Sequence, residues 1–67
     1  MNTKQRNFVI ISGSGDTFVW FRLELLSAIK SKGFKVYALA PEISDKNKLI
    51  LEEEGINFLR INLKRKS

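Results

Sequence analysis

Residues 11–22, ISGSGDTFVWFR, gather two glycines, two serines, an aspartate and an arginine where an apolar run gives way to an amphipathic helix. Gly13, Ser14 and Gly15 form a strand-to-helix turn. The N–H groups of such a turn stand at a helix N-terminus, where the dipole favours phosphate or another anion. Arg22 falls in the apolar stripe of that helix, between Leu25 and Ile29 on one side and Leu26 on the other. A guanidinium buried there without a partner is costly. Its place in the second turn lets it reach back toward the C-terminal edge of a sheet, where open α/β sheets bind ligands. The competing readings are a tight connection with no ligand for the two glycines, and a snorkelling arginine paired with Asp16 or Glu24.

Two nucleotide fingerprints are met only in part. The dinucleotide pattern G-x-G-x-x-G has Gly13 and Gly15 but Phe18 at its third glycine. Its acidic ribose ligand has Glu42 as the nearest candidate, which lies after Pro41 and later than the roughly 20 residues expected. No Gly-Lys-Ser or Gly-Lys-Thr follows the first glycine, so the triphosphate-binding pattern is not satisfied.

The 67 residues contain no cysteine and no histidine, which removes disulfides, the usual metal ligands and the commonest general base. No metal or cofactor is expected. The net charge is +5, and three of the twelve basic residues are Lys64, Arg65 and Lys66. Such a cluster can attract nucleic acid, anionic lipid or phosphate, and is more often solvated surface. Nucleic acid is not among the expected partners. Residues 1–6 read as a polar tail, with neither a signal sequence nor a membrane span behind it, and the chain reads as cytoplasmic.

The elements that must hold these residues alternate. Residues 7–12 are a β-branched apolar run suited to a buried strand. A helix follows to about Lys32, with Asp16 or Thr17 as its cap. On its wheel Phe18, Phe21, Leu25 and Ile29 share the face expected to pack on a sheet, while Trp20 lies on the polar side. Gly33 then ends the helix and Phe34 supplies the accompanying hydrophobic contact. Residues 35–40 form a second strand that Pro41 stops. Ser44 or Asp45 caps a second helix bearing Leu49, Ile50 and Leu51, whose acidic end at Glu52, Glu53 and Glu54 opposes the dipole. Gly55 repeats the device of Gly33, and residues 56–63 alternate as a third strand.

The fold class is therefore α/β: a βαβαβ half of a doubly wound, Rossmann-like parallel sheet with strand order 3-2-1. In such a sheet the first strand is central, yet no fourth strand is present to cover its free side. The chain reads as a partial N-terminal domain over 1–67, and its isolated form is expected to self-associate.

The stretches VIISGSGDTFVWFRLELLSAIKSKGFKVYALAPE and EEGINFLRINLKRKS resemble the start of bacterial glycosyltransferases of family four, which have the GT-B architecture. Shared features are the apolar first strand, the Ser/Gly turn, an aromatic residue before Phe21 and Arg22, and an arginine, here Arg65, closing the stretch after the third strand. Lys35 and Val36 stand where members usually have Glu-Val. The resemblance implies a parent enzyme that moves a sugar from a nucleotide-sugar donor to a lipid-linked or saccharide acceptor, without a metal and with retention, at the inner face of the membrane. It implies that Gly13, Ser14 and Gly15 lie at an interdomain cleft near the donor phosphates, with Arg22 and Arg65 as anion contacts and Asp16 beside them. It also implies a missing C-terminal domain that carries the nucleotide site, so that the 67-residue chain alone is not catalytic. A dinucleotide-binding oxidoreductase or epimerase fragment, and a non-enzymatic interaction module, are the alternatives.

Overall fold

A computed structural model describes residues 6–62. Three strands and three helices alternate as β1 (Arg6–Ile11), α1 (Asp16–Phe21), α2 (Leu23–Ser31), β2 (Phe34–Ala40), α3 (Asp45–Glu53) and β3 (Asn57–Arg60). The strands form one open parallel sheet in the order β1-β2-β3. Arg6, assigned by sequence to a polar tail, is the first residue of β1 and pairs with Phe34. Among the described residues no helix is long and apolar enough to cross a membrane.

The core lies between the helices and one face of the sheet. Val36, Ala38 and Ala40 of β2 are buried on that face, beneath Phe18, Leu26, Leu51 and Ile56. The two alanines are small enough to let the helices come close to the sheet. Among the described residues nothing covers the other face. Ile11, Leu39 and Leu59 stand side by side across its three strands, with Val9 beside Tyr37 in the next row. Val9, Ile11 and Leu59 are each at least half exposed. A parallel sheet is ordinarily buried on both faces, so this row is the least satisfied surface of the fold.

Gly33 and Gly55 end α2 and α3 with positive φ values of 99° and 77°, as their positions after the helices predict. After α3 the Ile56 N–H returns to the Leu51 carbonyl and the Gly55 N–H to Glu52, the paired bonds of a Schellman ending. Ser44 is the cap of α3, and its side chain accepts the Asn47 N–H.

The single first helix expected from the wheel is instead two. Arg22, with φ −123° and ψ 0°, breaks it, although its N–H still reaches the Phe18 carbonyl and its own carbonyl accepts from Leu26. The break changes which side chains are buried. Phe18 and Leu26 are in the core, whereas Phe21 is 74% exposed and Leu25 47%. Those two project beside the edge of β1, where no other strand or helix meets them among the described residues.

Candidate functional site

The turn after β1 satisfies most of its polar groups internally. The Ser14 N–H donates to Ser12 Oγ, and the Thr17 hydroxyl donates to the Ser14 carbonyl. Thr17 thereby spends its only hydroxyl proton, so Ser12 donates in the 2.8 Å bond between the two hydroxyls. The N–H groups of Thr17 and Phe18 go to the Ser14 and Gly15 carbonyls. The Gly15 N–H goes to the Glu42 carbonyl at 2.7 Å. Of the turn's amides, Gly13 N–H is the one between Ser12 and Gly15 left for a ligand.

Gly15 proves to be a packing glycine. It is buried, with ordinary helical φ and ψ of −67° and −23°. A Cβ there would lie 2.7 Å from Ile43 Cβ and 2.8 Å from the Glu42 carbonyl oxygen. The first turn is thus pressed against the β2–α3 loop. A Cβ on Gly13, by contrast, would meet nothing within 4 Å.

Asp16 extends the same junction. Its Oδ1 accepts from the Ser44 N–H at 3.0 Å, the Ser44 hydroxyl at 3.0 Å and Asn47 Nδ2 at 2.8 Å. Asn47 is the buried polar residue of the core region, and this bond satisfies it. The carboxylate ties the start of α1 to the start of α3. The Ser44 amide chiefly, then Asn47, hold its pKa below the ordinary carboxylate value, against a smaller opposing effect of burial.

A lowered pKa means that the Asp16 contribution is complete above the ordinary carboxylate range and is lost as pH falls through the folded-state value. The expected result is that the wild-type melting temperature drops between about pH 5 and pH 2, and that Asp16→Asn shows a shallower drop. Parallel acid limbs in thermal melts of the two proteins would show that the carboxylate is not the group being titrated.

Arg22 is exposed and has no bond to Asp16 or Glu24. Its backbone sits at the break between α1 and α2, and the residue lines an open groove of about 540 Å³. Ile10, Ile11, Phe18, Phe21 and Leu25 supply the apolar lining, and Ser12 and Thr17 the polar end. Periodicity placed Phe21 and Leu25 in the core and so missed them as groove residues. Trp20, on the polar side of the wheel, is 63% exposed and meets Phe21 edge to face at 6.3 Å between ring centres.

The expected site residues therefore separate. Gly13, Ser14 and Arg22 border the groove or the turn leading into it, whereas Gly15 and Asp16 are engaged with residues 42–47. Arg65 lies outside the described residues. The helix that was to supply an anion-binding dipole is the six-residue α1, whose short run of aligned peptides supplies little field. Among the described residues no group of three or more acidic side chains is arranged to hold a metal ion. No protein-family model, curated protein or solved structure matches the chain.

Proposed function

We propose that this chain is the N-terminal, acceptor-side part of a cytoplasmic GT-B glycosyltransferase, inactive alone, which moves a sugar from a nucleotide-sugar to a lipid-linked or saccharide acceptor at the membrane surface. The observation that carries the reading is the groove at the C-terminal end of β1, apolar along its length and closed by Ser12, Thr17 and Arg22. That is the end of an open α/β sheet at which ligands bind. The guanidinium of Arg22 on the groove, and the Gly13 amide in the turn that follows β1, suit a diphosphate, and the apolar length suits the nonpolar body of an acceptor. The open edge of β1 and the uncovered face fit a doubly wound sheet of order 3-2-1 in which β1 becomes central once further strands and helices are added.

The test is a titration of the chain followed by amide NMR, with a uridine diphosphate sugar as probe. Shifts confined to Gly13, Ser14 and Arg22 are expected, with affinity weakened about tenfold or more in Arg22→Ala, the loss of one charge-assisted contact. No sugar transfer is expected from the 67 residues alone. Sustained turnover, or NAD shifting the same amides at lower concentration together with Glu42, would overturn the proposal. The Phe18 ring at the third fingerprint position is buried in the core, which leaves α1 without the glycine that admits a dinucleotide's close approach.

A further inference from the structure

We propose that the 67-residue chain forms a two-fold dimer by antiparallel pairing of β1 with β1 of a second copy, centred on Val9. The joint takes the β1 edge and the apolar part of the groove that the sugar-transfer reading gives to further strands and to the acceptor, so in the 67-residue chain dimerisation and acceptor binding compete, and a sedimentation result stands apart from the uridine diphosphate sugar titration.

The backbone sets the register. The Ser12 N–H donates to the Leu39 carbonyl of β2, so by the two-residue alternation of a strand the groups of Asn7, Val9 and Ile11 point to the open side. Centring the joint on Val9 engages all three in both copies: Val9 with the partner's Val9, and Asn7 with the partner's Ile11. Phe8 then stands beside the partner's Ile10 on the helix-covered side, an aromatic and β-branched pair of the kind that stabilises sheets. The two Arg6 residues lie at opposite ends of the joint, so no like charges oppose each other.

The helices agree with this placement. The groove is the space between the edge of β1 and the exposed side chains of Phe21 and Leu25. A two-fold axis normal to the sheet brings the same pair from the second copy over the joined strands, with its α2 antiparallel to this one. The acidic first turn of α2, at Glu24, then lies toward the basic last turn of its partner, at Lys30. The opposite edge is a poorer joint, because β3 is only four residues long and carries Asn57 and Arg60.

Edge pairing covers what lies over the joined strands on the helix side, so of the exposed apolar side chains Phe21 (74%) and Leu25 (47%) are the pair brought into the joint, while Val9 and Ile11 keep their place on the uncovered face.

Sedimentation velocity across a wide concentration range tests the proposal. The wild type should pass from monomer to dimer as concentration rises. Val9→Pro removes the central outward donor at a position where an edge strand tolerates proline. Val9→Lys places two ammonium groups face to face at the axis. Leu25→Glu does the same with carboxylates between the helices. Each should raise the half-dissociation concentration about tenfold or more, with far-ultraviolet circular dichroism unchanged. Leu59→Lys, on the uncovered face but remote from the joint, should dimerise as the wild type does. A wild type that stays monomeric or grows past dimers overturns the proposal. So does dimerisation surviving in every folded variant of Val9 and Leu25, or dissociation by Leu59→Lys alone, which would assign the contact to the uncovered face.

Discussion

Gly15→Ala should lower stability by about 3 kcal/mol, and Gly15→Val should leave the chain largely unfolded. The alanine methyl would stand 2.7 Å from Ile43 Cβ and 2.8 Å from the Glu42 carbonyl oxygen. That carbonyl also accepts the Gly15 N–H, so the loop cannot recede without losing the bond. Overpacking costs about 1–3 kcal/mol and a lost hydrogen bond about 1 kcal/mol. A domain of this length has about 3–10 kcal/mol in total. Urea unfolding reads the effect. Gly13→Ala is the control, since its methyl meets nothing and the substitution restricts the unfolded chain. Equal midpoints for Gly15→Ala and the wild type would mean that the turn and the β2–α3 loop are not in contact. Loss of ligand binding on substituting Gly15 therefore reports on folding first, whereas the same loss at Gly13 or Arg22 reports on the ligand.

Phe18→Ala should cost about 3–5 kcal/mol, enough to unfold much of the population at room temperature. The ring is 1% exposed and lies in the core cluster with Leu26, Leu51 and the small residues of β2, which cannot collapse into the space it leaves. Phe21→Ala should change the stability of the monomer by no more than about 0.5 kcal/mol, as befits a ring that is 74% exposed. Denaturant midpoints at concentrations below dimerisation separate the two. Comparable losses at both positions would place Phe21 in the core.

That contrast shows where the sequence was legible. The alternation of strands and helices followed from hydrophobic period and from Gly33, Gly55 and Ser44, because each of those signals acts over a few neighbouring residues. The wheel also identified the apolar residues of the first helix. It could not show that the helix breaks at Arg22, which is neither glycine nor proline, or that half of its apolar stripe would overhang an unpaired edge. The junction of Gly15 and Asp16 with residues 42–47 was equally hidden. Residues distant in sequence make it, and a Ser/Gly turn looks the same whether its amides await a phosphate or a neighbouring carbonyl. Only the count of hydrogen bonds and the space at each glycine distinguish the two.

The pairing of β1 governs how the chain can assemble as it is made. Every residue of Arg6–Ile11 is matched with one in Phe34–Leu39, and β2 in turn with Asn57–Arg60. Among the described residues no hairpin or other local strand contact is available to start the sheet. A nascent chain that has emerged only as far as Gly33 can coil α1 and α2 but has nothing for β1 to join. At about 5–20 residues per second of synthesis, the apolar strand waits through the whole helical crossover before its first partner appears. Folding is then limited by closing two long loops, and belongs to the slower, non-local class despite the chain's small size.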